Sequence, residues 1–479
     1  MVTFLYYSVW IILTLWCIFL LLYHKREPYS TIIWLLLVFL VPILGALLFL
    51  VFGPIRLERG AVKRKRNIEQ QLSESDPTVL LTVREPSLPP SDLTKIPTEE
   101  NQVFRLAEQI SEYRLSTGNK VEIIVDPDVA LASMQKAIEG AKQFIHLEYY
   151  IIVSDEVTEQ LFDSLIEARR RGVEVRVLYD SLGSLSLKKI YFRRLTEHGV
   201  KVAGFLPLSA IAQRLNLNFR NHRKILVVDG KTAFTGSANI GKQYLGKRND
   251  SQWRDNVVKV EGPVCLQLQD VFAKDWQFTT KEDLYSAMYC PVPQRCGDAV
   301  IQVLESGPDT RFQTLYQALF LAITSARSHI LMTTPYFIPD SVMMTALTVA
   351  ALRGVKVQLL LPQKNDLLLV QLASRSFYEA LLEAGVEIYE YEPRILHAKN
   401  LIIDKKWTII GSANMDARSF RLNFEINLLI YGSSVTEQAE NLFEADLQKS
   451  NRVELATYLA RPMVRRLLEN ACRLFSPIL

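Results

Sequence analysis

Histidine and cysteine are scarce in this chain, with six and five copies among 479 residues. The cysteines, Cys17, Cys265, Cys290, Cys296 and Cys472, are odd in number and irregular in spacing. No C-x-x-C pair or His/Cys cluster gives a zinc pattern, and no even framework suggests a disulfide-stapled fold; reduced cytoplasmic thiols fit. The net charge of +4 is mild and identifies no partner by itself. Charge is also locally absent. Residues 1–23 and 28–55 contain no Asp, Glu, Lys or Arg. The apolar runs from about Phe4 to Tyr23 and from Thr31 to Phe52 are each long enough for a bilayer core, which needs about 20 residues. No basic segment precedes the first run and no small-x-small site follows it, so a cleaved leader fits poorly.

The expectation is therefore a helical hairpin in a membrane, turned by Lys25-Arg26-Glu27-Pro28. The following segment carries Arg56, Arg59, Lys63, Arg64, Lys65 and Arg66, against only Lys25 and Arg26 in the connection. The richer side is expected to be cytoplasmic, which puts the rest of the chain there too. The same cluster suits anionic headgroups. The domain plan is a hairpin over 1–55, a basic and polar linker over 56–101, and two lobes over 102–297 and 298–479.

What is present is a pattern that occurs twice. His222, Lys224, Asp229, Gly236, Ser237 and Asn239 are matched by His397, Lys399, Asp404, Gly411, Ser412 and Asn414, with offsets of two, five, seven and three residues at each step from His through Lys, Asp and Gly to Asn. Two of the six histidines head the same pattern. A lone histidine is most simply a hydrogen-bonded structural group; the repetition reverses that reading.

The repeat extends beyond the motifs. Arg171-Gly172-Val173 is matched by Arg353-Gly354-Val355, and Gly199-Val200 by Gly385-Val386. The alternation predicts strands at 144–152, 173–179, 329–334 and 355–361, with helices over 157–170 and 340–352. An α/β fold follows: two pseudo-symmetric lobes, each a mixed sheet flanked by helices. The first lobe has an extra, partly apolar run from Phe205 to Arg220, readable as a membrane-facing or substrate-covering loop or as a plain surface excursion. Lys224–Asp229 and Asn400–Asp404 read as buried strands. His and Lys two residues apart on a strand share a face, placing imidazole beside ammonium.

Those residue types suit phosphodiester chemistry. Lys224 and Lys399 neutralise non-bridging oxygens. A neutral imidazole attacks phosphorus to give a phosphohistidine, and a second, protonated one serves the leaving group. Ser237, Asn239, Ser412 and Asn414 are read as phosphate-contacting donors or helix caps. No cofactor or metal is called for; Asp126-Pro127-Asp128 reads as a turn.

The doubled H-x-K-x4-D-x6-G-S-x-N resembles the signature of the phospholipase D superfamily. The chain is further similar to bacterial cardiolipin synthases over nearly its whole length. The carrying segments are Ile33-Trp34, Pro42-Ile43-Leu44-Gly45 and Phe52-Gly53 in the apolar region, then Asn221-His222-Arg223-Lys224, Ser306-Gly307-Pro308-Asp309, Thr334–Pro339 and Asn414–Glu425. It departs at Gly236-Ser237, where Gly-Gly is frequent, and at Lys405-Lys406, where Asp-Gly is commoner. The resemblance implies phosphatidyl transfer between two phosphatidylglycerols, with cardiolipin and glycerol as products, His222 as nucleophile and His397 as acid and base. It leaves Asp229 and Asp404 as supports and Glu148 and Glu425 as candidates for orienting the imidazoles. The implied partners are phosphatidylglycerol and anionic membrane lipids, not nucleic acid. A hydrolytic phospholipase D and, less favoured because of the hairpin, a nuclease of the superfamily are the competing readings. The D-G-x-x-A-R pattern of metal-dependent alcohol phosphatidyltransferases is missing.

Overall fold

The computed structural model describes residues 2–23, 28–52, 96, 102–206, 219–245, 253–310, 312–477 and 479. The basic cluster, the linker apart from Ile96, and residues 207–218 of the first-lobe insertion lie outside the described residues. Two compact units form, one holding the N-terminal helices and one the sheet.

The N-terminal unit contains α1 (Val2–Tyr23), α2 (Pro28–Leu40) and α3 (Pro42–Phe52). The expected second span is thus two helices. Pro42 has no N–H to donate, so the ladder is interrupted there. Bonds persist on either side of it: Val41 N–H bonds Leu37 O at 3.0 Å and Gly45 N–H bonds Val41 O at 2.5 Å. Cys17, Leu21, Val38, Ala46 and Phe49 pack together. Among the described residues, no helix is long and apolar enough to cross a membrane.

The second unit is built on one mixed sheet of 16 strands. Its first half runs inward from an edge as β4 (Lys201–Phe205), β3 (Glu174–Asp180), β2 (Phe144–Tyr149), β6 (Lys224–Val228), β7 (Thr232–Gly236), β8 (Val257–Glu261) and β1 (Ser116–Ile124). The second half repeats that order as β13 (Glu387–Tyr391), β12 (Lys356–Pro362), β10 (His329–Thr333), β14 (Asn400–Ile403), β15 (Trp407–Gly411), β17 (Asn423–Tyr431) and β9 (Ala299–Ser306). β1 and β9 pair antiparallel at the centre, Ser116 opposite Ile301 and Asn119 opposite Ala299. The expected separate sheets are therefore joined edge to edge, which removes two open edges from solvent. The remaining strands are β5 (Arg220–Asn221) beside β17, β18 (Ser450–Arg452) at the outer edge, and a parallel pair, β11 (Phe337–Ile338) with β16 (Met415–Asp416).

The predicted elements appear within one to three residues of their expected ends. The strand expected over 144–152 stops at Tyr149, and the helices run Glu156–Arg170 and Ser341–Leu352. Asp155 and Asp340 accept N–H bonds at the starts of those helices, the ordinary reason for an acidic residue there. Asp126 does the same for the helix Pro127–Gly140, so the Asp-Pro-Asp turn is a cap. β6 is buried at every position and reads Lys-Ile-Leu-Val-Val, as a strand covered on both faces must.

Candidate active site

Both motif histidines lie just before their strands rather than in them, because each segment first crosses to the other half of the sheet. His222 N–H bonds Phe424 O at 2.9 Å, and His397 N–H bonds Arg254 O at 2.8 Å. β5 pairs with β17, and Leu396 bridges Arg254. Each lysine then folds back on its own histidine: Lys224 Nζ donates to His222 O and Lys399 Nζ to His397 O, both at 2.7 Å. Arg223, between His222 and Lys224, is fully buried and ion-paired to Asp275 at 2.5 Å and Glu305 at 2.8 Å, which fixes the crossing segment.

Each imidazole is held by a carboxylate from the opposite half. His222 Nδ1 lies 2.9 Å from Glu425 Oε2, and His397 Nδ1 lies 2.7 Å from Asp255 Oδ2. An ionised carboxylate only accepts, so Nδ1 carries the hydrogen and Nε2 keeps its lone pair in each ring. The carboxylates are anchored in turn by the motif serines. Ser412 Oγ donates to Glu425 Oε2 and Ser237 Oγ to Asp255 Oδ1. Both hydroxyls are completely buried. The expected roles, phosphate contact or helix capping, give way to another: the hydroxyls stand behind the carboxylates that orient the histidines.

The Gly-Ser step explains how. Ser237 N–H bonds Asn256 O at 3.0 Å and Ser412 N–H bonds Ile426 O at 2.9 Å. A Cβ on Gly236 would sit 2.5 Å from Asn256 O, and one on Gly411 2.3 Å from Ile426 O. Only glycine permits that approach. The equivalent bonds make Asp255 the counterpart of Glu425. Asp255 was not singled out from sequence, because it follows Ser237 by 18 residues whereas Glu425 follows Ser412 by 13. The usable signal was an acid one residue ahead of the residue that pairs with the Gly-Ser turn. Glu148, the other orienting candidate, touches neither imidazole. Its Oε1 accepts from Asn221 Nδ2, and burial followed by Asp275 pushes its carboxyl well up.

The four basic groups share one electrostatic environment. Burial lowers His222 to about 4, against the opposing pull of Glu425, and Lys224 and Lys399 lower it further. Burial and then Lys399 also lower His397, while Asp255 opposes them. Lys224 is brought to about 7 and Lys399 to about 8, in each case chiefly by burial. Burial works to raise Asp255, but His397 and Lys399 outweigh it and hold the carboxyl at about 2. Such a site, crowded with cations that burial disfavours, is relieved by an anion. Aromatic rings flank it: Tyr150 meets His222 edge-on with centroids 4.8 Å apart, and Trp253 meets His397 at 5.1 Å.

The motif aspartates stand at the far ends of β6 and β14, five residues past the lysines, or roughly 17 Å of strand. Asp229 accepts the N–H groups of Lys142, Gln143 and Phe144 at 2.7, 2.8 and 2.9 Å. Asp404 does the same for Arg327, Ser328 and His329 at 3.0, 2.7 and 2.9 Å. Both adopt a left-handed backbone, with φ of 51° and 52°. They therefore fasten strand turns and touch no imidazole. We expect Asp404→Asn to cost about 2 kcal/mol of stability, read as a lower Tm, with kcat left near wild type. Asn239 Oδ1 accepts Ile151 N–H at 3.3 Å, whereas buried Asn414 Oδ1 has no partner among the described residues. Among those residues no group of three or more His, Cys, Asp or Glu is placed to hold a metal ion.

The family described as "Cardiolipin synthase, PLD-like domain" matches residues 134–276 and 319–447, and so takes in both histidine motifs and both orienting carboxylates. The chain belongs to the cardiolipin synthase family. A family described as "Phospholipase_D-nuclease N-terminal" matches residues 12–54. The cardiolipin synthase of Geobacillus thermodenitrificans (strain NG80-2) is 38% identical over 466 residues, 96% of this chain and 91% of that protein. That of Alkalihalophilus pseudofirmus is 35% identical over 475 residues, 98% of this chain and 93% of that protein. The crystal structure of phosphatidylserine synthase from Haemophilus influenzae Rd KW20 shares the fold, with a TM-score of 0.59 at 16% identity, covering 79% of this chain and all of that one. The chain is a phospholipid phosphatidyltransferase of this family.

Proposed function

We propose that His222 Nε2 attacks the phosphorus of one phosphatidylglycerol and that a second phosphatidylglycerol accepts the phosphatidyl group. The P–N bond forms as the P–O bond to glycerol breaks, and protonated His397 gives its proton to the departing alkoxide. The incoming hydroxyl then returns a proton to His397 and attacks phosphorus, the P–N bond breaks, and cardiolipin leaves. Lys224 and Lys399 neutralise the phosphoryl oxygens in both steps. The observation that carries this reading is the crossed pairing of the two imidazoles with Glu425 and Asp255, which leaves Nε2 as the basic nitrogen of each ring, with Lys224 and Lys399 acting electrostatically on both. His222 is assigned the attack from the family resemblance, in which the first-motif histidine is the nucleophile, and burial keeps its imidazole neutral, at about 4. The bound anion raises His397 and protonates it.

Labelled phosphatidylglycerol supplied in membranes is expected to give cardiolipin and glycerol in equal amounts. Phosphatidic acid as sole product would make the acceptor water, and no turnover of any lipid would end the proposal. Since lysines supply the positive charge, EDTA is expected to leave the rate unchanged; strong inhibition would demand a metal-based scheme.

The lobes 102–297 and 298–479 act as halves of this one site, and, although no single described helix is long and apolar enough to cross a membrane, we infer from the uncharged stretches that residues 1–55 anchor it in the cell membrane as a two-span hairpin with the catalytic part cytoplasmic. The uncharged stretches support the anchor, as does the outward display of Ile12, Leu15, Phe39 and Leu40, each more than three-fifths exposed. Lipid is the solvent that such helices fit. A reporter fused after Leu479 is expected to score as cytoplasmic. Lipid, not nucleic acid, is the proposed substrate.

A further inference from the structure

The helix Met463–Arg473 is mounted the wrong way round for a soluble protein. Its one acidic residue faces inward. Glu469 is 1% exposed and ion-paired to Arg461 and, at 3.3 Å, to Arg465. Arg466 reaches Glu379 at 3.4 Å, and the Arg473 guanidinium stacks 4.5 Å from the centre of the Phe377 ring. The apolar face is left outside. Met463, Val464, Leu467 and Leu468 are between 54% and 74% exposed, and Leu474 just beyond the helix is 80% exposed. A surface helix ordinarily buries its apolar stripe. Contiguous apolar exposure of this kind marks a surface that something covers.

The neighbouring elements extend the patch and locate it. The helix packs along Leu368–Arg375, whose approach displays Leu367 and Leu368, 51% and 67% exposed. Asp366, the preceding residue, accepts from Tyr336 Oη at 2.9 Å, and Thr334 Oγ1 donates to Tyr336 O at 3.0 Å. Thr334 lines one cavity with Lys399 and Asn414. The apolar face therefore adjoins the second-half side of the active site.

We propose that the outward face of Met463–Arg473, with Leu367 and Leu368, docks on an anionic phospholipid bilayer and brings the active-site mouth to the headgroups. Apolar side chains enter the acyl boundary while Arg465, Arg466 and Arg473, at the rim of the same helix, meet anionic headgroups. That combination of exposed apolar stripe and flanking arginines is what an interfacial helix requires. The choice of a lipid surface over a second copy of the chain rests on the proposed function: the substrate itself is a lipid that must reach the mouth.

The test uses the full chain in vesicles of phosphatidylglycerol and phosphatidylcholine. Leu468→p-benzoylphenylalanine is expected to photocrosslink to lipid. A chain-to-chain adduct in place of a lipid adduct, or no adduct, would overturn the proposal. The double variant Leu467→Asp, Leu468→Asp is expected to lose about 10-fold or more in turnover of vesicle lipid, since burying two leucines is worth that much binding. Its rate on short-chain phosphatidylglycerol dispersed below micelle formation should match wild type, which also shows that the fold and site are intact. Equal losses on both substrates, or on neither, would refute interfacial docking. If wild type turned over no phosphatidylglycerol, the functional reading would fail, while the crosslink would still report docking.

Discussion

His222→Ala and His397→Ala are each expected to lower turnover of phosphatidylglycerol at least ~10³-fold, and the double variant to be little worse than the poorer single one, because residues that act as a unit do not contribute additively. The two losses arise differently. Without His222 there is no nucleophile and no phosphohistidine. Without His397 the nucleophile remains, but the departing alkoxide must leave unprotonated and the acceptor alcohol keeps its proton. Mass mapping after brief exposure to substrate separates these cases. A phosphatidyl group on His222 is expected in wild type and, at low occupancy, in His397→Ala; a phosphatidyl group on His397 instead would exchange the two roles. Near-normal turnover in either alanine variant would refute the two-imidazole mechanism. Neither substitution should unfold the protein, since the crossing segments are held by backbone bonds to Phe424 and Arg254 and by the buried Arg223 cluster rather than by the imidazoles.

The chemistry was legible in sequence because it is duplicated. Two scarce histidines at the head of one spacing pattern required a common explanation, and the glycine-led turns and apolar strands around them fixed where they would sit. The repeat of whole elements was equally open to reading, since Arg-Gly-Val and Gly-Val steps punctuate both halves. Three features were hidden for physical reasons. The fusion of two sheets into one depends on β1 pairing with β9 across 180 or more residues, and neither strand carries a local mark of its partner. Asp255 lies in the opposite half from His397, which it holds, so sequence neighbourhood points away from it; Glu425, a candidate from the family resemblance, does hold His222. Glu148, the other candidate for orienting an imidazole, instead faces the Asn221, Arg223 and Asp275 cluster. Conversely, the serines read as phosphate donors or helix caps; only the third dimension shows the carboxylate standing between hydroxyl and histidine.

That intervening carboxylate makes a sharp prediction. Asp255→Asn and Glu425→Gln are each expected to reduce kcat by ~10²-fold or more, because an amide no longer enforces the Nδ1–H tautomer or stabilises the imidazolium. Their kcat/KM profiles against pH should change on opposite limbs. Glu425 opposes the burial that lowers His222. Removing it lets His222 fall further, so the acidic limb, which reports deprotonation of the attacking imidazole, moves to lower pH. Asp255 likewise opposes the lowering of His397 by burial and Lys399. Without it the proton of the general acid is lost sooner, and the alkaline limb moves to lower pH. Both shifts have the same sign and belong to different limbs because the crossed pairing gives each carboxylate one histidine. If the limbs exchanged, with Asp255→Asn moving the acidic one, His397 would be the nucleophile. If both limbs stayed fixed while kcat fell, the carboxylates would hold geometry alone. Ser237→Ala and Ser412→Ala provide the graded version: each removes one hydrogen bond to a carboxylate that keeps its charge, so a loss of roughly 10-fold with a smaller shift on the same limb is expected, and an unshifted profile would sever the serine from the histidine it serves through Asp255 or Glu425.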